Sequence, residues 1–131
     1  MTRVGASILG VEMSARFSKF LDSMPWAPSH VDWRSIPCAK FEISDDWEES
    51  VLEFSREYPL GAHEYLMALY DESQPSILCP LGVGLRDIDL IYSGTPGSRY
   101  ICGVDLIDGR PVPAYEDFAE FDGFANLIFR A

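Results

Sequence analysis

Apolar and polar positions follow a helical period near the start of the chain. Between Val11 and Met24 the apolar side chains recur at steps of three and four residues, which predicts an amphipathic helix. Pro25 and Pro28 end this pattern, because proline disfavours helix in the residue before it. Residues 25–30 are therefore predicted to form a loop.

A second helix is predicted to follow Ser44, Asp45 and Asp46. Ser44 can accept a hydrogen bond from a free amide of the first turn, and the two carboxylates favour the positive end of the helix dipole. An apolar stripe then runs as far as Pro59, made of Trp47, Val51, Leu52, Phe54 and Tyr58. The pattern next predicts a third helix over residues 62–70. Its inward side chains are Tyr65, Leu66 and Leu69.

The second half of the chain has a β texture, in which apolar runs alternate with turns that contain Gly and Pro. Strands are predicted at residues 77–79, 88–92 and 100–104. Residues 95–97 predict one connecting turn, and Asp108 with Gly109 is the dipeptide of a two-residue hairpin. Because Pro111 and Pro113 have no N–H, the strand after that hairpin is predicted to be short or at an edge.

The end of the chain is predicted to add one more helix. Residues 115–124 carry phenylalanines at three-residue spacing, and residues 125–129 follow as a final apolar segment. Helices first and strands later indicate an α+β fold. We expect N-terminal helices packed on an antiparallel β-meander with a short C-terminal helix, all within a single domain of residues 1–131.

Composition limits the class of protein. A length of 131 residues with 47% hydrophobic residues suffices for one packed core, and the longest apolar runs are too short to span a bilayer. The first residues do not have the pattern of a secretory signal, so a cytoplasmic protein is expected. Cys38, Cys79 and Cys102 form no CxxC pair and are expected to stay reduced, and no cofactor or metal site is predicted.

The charge of the chain is strongly negative. It carries 21 acidic and 10 basic residues, a net charge of −11. Residues 41–131 alone carry five basic and eighteen acidic residues, a net charge of −13. Such a surface repels nucleic acid and anionic membranes, and it accelerates association with a basic protein. The expected partner is therefore a basic protein.

The predicted contact surface combines an acidic rim with aromatic anchors. The rim lies on the exposed side of the second helix, and the anchors lie in or beside the loop that follows the first helix. The rim residues are Asp45, Asp46, Glu48, Glu49 and Glu53, and the anchors are Trp26 and Trp33.

Two other readings of the chain stay open. The first is a small hydrolase-type enzyme that uses His63 with Cys38, or paired carboxylates. Asp87 and Asp89, which strand periodicity would place on one face, could contribute to a metal site, but no His or Cys stands beside them at ligand spacing. No local motif completes either set, so no catalytic residue is predicted. The second is a homo-oligomeric adaptor that associates through the apolar residues 124–129.

Two segments resemble the SUKH superfamily, whose bacterial members are mostly toxin-immunity proteins. Residues 58–66, YPLGAHEYL, look like that family's proline-marked start of a helix, and residues 115–121, YEDFAEF, are similar to its closing segment. The resemblance covers residues 58–121. It implies a cytosolic immunity protein that binds and neutralises a cognate bacterial toxin domain. A basic nuclease domain is the favoured target.

Overall fold

In the part of the chain that the structure describes, seven strands form one sheet in which every neighbouring pair is antiparallel. The computed structural model describes residues 7–28, 30–43, 47–92, 98–123 and 126–131, apart from the side chains of residues 47–49. The strands are β1 (Ser7–Leu9), β2 (Cys38–Glu42), β3 (Tyr65–Ala68), β4 (Ser76–Pro80), β5 (Arg99–Ile107), β6 (Arg110–Phe121) and β7 (Asn126–Arg130). Their order across the sheet is β1-β4-β3-β5-β6-β7-β2.

Helices cover both faces of this sheet. The described α-helices are α1 (Val11–Asp22), α2 (Trp47–Ser55), α3 (Leu81–Arg86) and α4 (Ile88–Ile91), and 3₁₀ turns lie at Trp33–Ser35 and Pro59–Ala62. Helix α1 buries Phe17 and Leu21 in a core with Met67 of β3, whereas α2 buries Val51 in a second core with Leu66 of the same strand. Successive strand residues point to opposite faces, so the two cores lie on opposite sides of the sheet. The predicted α+β class is confirmed.

The helix predicted over residues 62–70 is wrong, because the chain there forms β3. Leu66 and Ala68 are buried on the α2 face, and Met67 is buried on the α1 face. A strand covered on both faces shows a continuous apolar run instead of an alternation, and such a run does not distinguish helix from strand.

The strand predicted over residues 88–92 is also wrong. Ile88 and Tyr92 are buried while Asp89 and Leu90 are exposed, which is the four-residue spacing of one helical turn. The segment is helix α4, and its backbone N–H groups at Ile91 and Tyr92 return to the carbonyls of Asp87 and Ile88. The β-branched composition of the segment indicated a strand, but the tertiary packing buries Ile88 and Tyr92 on one face of a helical turn.

The predicted C-terminal helix is a strand in the structure. Residues 115–121 belong to β6, in which Phe118 packs on the α1 face and Phe121 on the α2 face. Their three-residue spacing resembles a helical stripe only because both faces of the strand are buried. The final apolar segment forms β7, with Leu127 and Phe129 buried. Residues 124 and 125 lie outside the described residues, and so does the predicted turn at residues 95–97.

The hairpin at Asp108 and Gly109 is confirmed, with φ angles of 53° and 78°. The strand after the hairpin was predicted to be short or at an edge, and the structure shows the second alternative, since β6 has 12 residues. Its two prolines are at an open edge. Pro111 and Pro113 pair with β5 on one side, while β7 pairs with β6 only at residues 119–121. The backbone nitrogens of both prolines therefore face an edge where β6 has no partner strand among the described residues, so the N–H groups that proline lacks cost no hydrogen bond.

Candidate functional site

Glu53, the predicted rim residue whose side chain the structure describes, lies on the face of the sheet opposite to the predicted anchors. Glu53 is exposed on α2, whereas Trp26 and Trp33 pack beside α1. Asp45 and Asp46 lie outside the described residues, as do the side chains of the other two rim residues, Glu48 and Glu49. One interface on one face cannot include both Glu53 and the tryptophans.

Trp33 is a packing residue of the α1 face. Its indole nitrogen donates to Glu120 Oε1 at 3.2 Å, and its ring centroid lies 5.4 Å from that of Phe118. The side chain is half-buried. Trp33 therefore connects the segment after the loop to the sheet.

Trp26 presents part of its ring to solvent, with 43% of the residue exposed. Its indole nitrogen donates to the carbonyl of Leu21 at 2.8 Å, and its ring contacts Tyr100 edge-on at 5.8 Å between centroids. Both contacts fix the orientation of the indole. A large aromatic side chain that is exposed yet held in place has the properties of a binding anchor.

A cleft of about 350 Å³ opens beside Trp26. It lies between the C-terminal end of α1, the turn after β3 and the beginning of β5. The lining includes Asp22, Trp26, Asp71, Glu72, Arg99 and Tyr100. Its volume is within the range of pockets that hold small molecules or single side chains.

Carboxylates outnumber cations in this cleft. Asp22 and Glu72 are exposed, and neither forms an ion pair with any described residue. Hydrogen bonds from the backbone and side chain of Ser73, together with the charge of Arg99, lower the pKa of Asp71, which is ionised at neutral pH. The three carboxylates against one guanidinium leave the cleft negative.

A buried carboxylate supports the floor of the cleft and was not anticipated from the sequence. Glu120 is only 3% exposed, and its Oε1 accepts from the Tyr100 hydroxyl at 2.7 Å. The same hydroxyl accepts from the backbone N–H of Val31 at 2.9 Å, so the loop that carries Trp26 is tied to the sheet. Burial, then the bond to Glu120, raises the pKa of Tyr100. The sequence signal for this network was a glutamate between the apolar residues Ala119 and Phe121, in a segment that the pattern predicted as a helix.

A second polar cluster lies on the other face, where His63 bridges two carboxylates. Its Nδ1 is 2.9 Å from Asp105 Oδ2 and its Nε2 is 2.7 Å from Asp117 Oδ2. Asp117 reaches the ring because residues 115–117 form a bulge in β6 between the pairs Cys102 with Phe118 and Gly103 with Ala114.

His63 is held as an imidazolium by this arrangement. Burial alone would lower the pKa of His63, but the hydrogen bonds and charges of Asp117 and Asp105 outweigh it and raise the pKa. A neutral ring has only one N–H, whereas both nitrogens here face carboxylate oxygens. With both nitrogens engaged, His63 has no free nitrogen to act as a base.

His63 and Cys38 do not form a dyad. The imidazole lies over Gly103 on the α2 face, whereas Cys38 donates to the carbonyl of Trp33 on the α1 face. Burial raises the pKa of Cys38, so its thiol is protonated at neutral pH. This removes the cysteine–histidine form of the enzyme reading.

Asp87 and Asp89 do not lie on one strand face, where the sequence placed them. Asp87 ends α3 and pairs with Arg86 at 3.3 Å, while Asp89 lies in α4. A search of the described residues finds no group of three or more His, Cys, Asp or Glu side chains that could hold a metal ion.

None of the helices in the described part of the chain is long and apolar enough to cross a membrane. Comparisons of the chain with protein-family models, with curated proteins and with solved structures find no match.

Proposed function

We propose that this chain is a cytoplasmic inhibitor that binds a basic protein, and that the Trp26 cleft is its contact site. The immunity role implied by the resemblance to the SUKH superfamily makes a toxin domain, with a nuclease favoured, the partner of this proposal. The enzymatic role is the alternative reading. The single observation that carries the proposal is a partly exposed indole, held by a hydrogen bond, beside carboxylates that form no ion pair with any described residue, all in one concavity.

The chemistry of the cleft supports a basic partner. Interface hot spots are enriched in tryptophan, and a rim of one charge sign steers an oppositely charged protein toward them. The net charge of −11 acts over a longer range than the cleft itself, so association is expected to be fast and to slow with rising salt.

The test is to pass a lysate of the source organism over the immobilised protein at low salt and to elute the bound proteins by raising the ionic strength. We expect the wild type to retain a basic protein, which the double variant Asp22→Asn with Glu72→Gln and the single variant Trp26→Ala release at clearly lower salt. The matched control is Glu53→Gln with Glu57→Gln, which removes two exposed carboxylates, one on α2 and one in the turn just after it. That control is expected to elute with the wild type.

The captured protein then decides the biological role. Inhibition of its toxic or nuclease activity by the wild type, and weaker inhibition by the cleft variants, is the expected result. If binding depends on Glu53 and Glu57 instead, the contact lies on the α2 face. If no basic protein is retained by any form, the proposal fails.

A further inference from the structure

We infer that the Trp26 cleft is a receptor for one arginine side chain, supplied by the partner, whose guanidinium stacks on the indole and pairs with Glu72 and Asp22. This inference rests on the proposed function, because it names the chemistry of the group that the site receives. The two can still be tested apart.

The indole supplies a flat apolar wall. Trp26 uses its only polar atom internally, in the bond to Leu21, so what it offers to a ligand is its ring. The face of an indole is the best aromatic partner for a cation, and among the basic side chains the planar guanidinium is also able to stack on it.

The carboxylates supply the charge. Glu72 and Asp22 approach the cleft from the turn after β3 and from the end of α1, on two sides of the concavity. A guanidinium has five N–H donors in one plane, so it can stack on a ring and donate to carboxylates at its edge at the same time. An ammonium has the charge but cannot stack, which favours arginine over lysine.

Arg99 does not cancel this site. Its Nη1 donates to the carbonyl of Ser98 at 3.5 Å, and its charge acts on Asp71. Glu72 and Asp22 form no ion pair within the described ranges, so their charge is available to an incoming cation.

The site is also prearranged. Tyr100 contacts the Trp26 ring and binds the loop at Val31, and Glu120 orients that hydroxyl from below. A receptor whose wall is already ordered loses less conformational entropy on binding. A single side chain is therefore expected to show measurable binding without the rest of the partner.

The experiment uses the full chain and three small probes: the N-acetyl amides of arginine, lysine and citrulline. Citrulline has nearly the shape of arginine without its charge. Binding is followed by two-dimensional ¹H–¹⁵N NMR, in which the indole N–H signal of Trp26 is assigned from the Trp26→Phe variant. We expect saturable shifts at Trp26, Glu72 and Ser98 with arginine, weaker binding of lysine, and no binding of citrulline.

Variants then test each contact. Trp26→Ala is expected to weaken arginine binding about threefold to fivefold through the lost cation–π contact. Asp22→Asn with Glu72→Gln is expected to weaken it by a similar factor or more. Glu53→Gln with Glu57→Gln is the control and is expected to leave the dissociation constant unchanged.

Three results would overturn the inference: equal binding of citrulline and arginine, shifts that cluster on α2, or no saturable shift with arginine. Binding of lysine as tight as that of arginine would also overturn it, because stacking would then have no part. Failure of the proposed function looks different, since arginine would bind the cleft while no basic protein is captured. If the cleft variants release a captured basic protein but arginine does not bind the cleft, the proposed function stands and this inference is wrong.

Discussion

His63 Nε2 and Asp117 Oδ2 lie 2.7 Å apart, across a bulge that carries the aspartate out of the regular strand. Asp105 holds the other ring nitrogen, so one imidazolium joins the 3₁₀ turn at Pro59–Ala62 to both strands of the β5–β6 hairpin. The side chain of His63 is 12% exposed, which protects this contact from most of the solvent.

The free energy of unfolding should depend on pH through His63. The folded pKa of His63 is raised, so its protonated form stabilises the fold fully below the unfolded pKa of about 6.5, and this stabilisation is lost as pH rises through the folded pKa. We expect the free energy of unfolding to fall above pH 6.5 in urea titrations. His63→Gln should flatten that decline. An equally steep decline in His63→Gln would assign it to other groups.

Removing the carboxylate of Asp117 should lower both the free energy of unfolding and the pKa of His63. Asp117→Asn replaces an acceptor of a charge-assisted hydrogen bond, so we expect a loss of about 1 to 2 kcal/mol near pH 6. The pKa of His63, followed by NMR of the ring protons, should move down in the same variant. Glu116→Gln is the neighbouring control, because Glu116 is exposed and its side chain pairs with no described residue. An unchanged pKa in Asp117→Asn would contradict the bridge.

Gly103 should tolerate no side chain. A Cβ at this position would collide with the imidazole ring of His63, which two carboxylates hold in place. Gly103→Ala is expected to destabilise the fold by about 1 to 3 kcal/mol in chemical denaturation. Gly82→Ala is the control, since the nearest atom there is the flexible Leu52 Cδ2 at 3.3 Å and alanine favours helix α3. Equal stability of the two variants would show that the ring can move aside.

The elements that the sequence predicted correctly are marked by a local signal. Residues 77–79 and 100–104 lie in strands β4 and β5 as predicted, because turn residues bound their apolar runs. Helices α1 and α2 and the turn at Asp108 and Gly109 have such local signals. Strand β3 was missed because Leu66 and Met67 are buried on opposite faces, so no alternation of apolar and polar residues marks it. Strand β6 was missed because Phe118 and Phe121 are buried on opposite faces at a three-residue spacing that resembles a helical stripe.

In the site, Trp26 was predicted as an anchor from its loop position, and the structure shows its ring partly exposed. Its acidic neighbours Asp22 and Glu72 could not be predicted, because they are fifty residues apart in the sequence. They line the same cleft only because the fold brings the end of α1 beside the turn after β3.

The thiols should react in two classes. Cys38 is exposed, while Cys79 and Cys102 are buried, and burial raises the pKa of Cys79 to about 12. We expect one equivalent of a thiol reagent to react with the folded protein and three after denaturation. Burial also raises the pKa of Cys38, so even its reaction should be slow at pH 7 and accelerate toward pH 9. Cys38→Ser should abolish the reaction of the folded state. Fast reaction of a second thiol under native conditions would mean that one of the two cores opens readily.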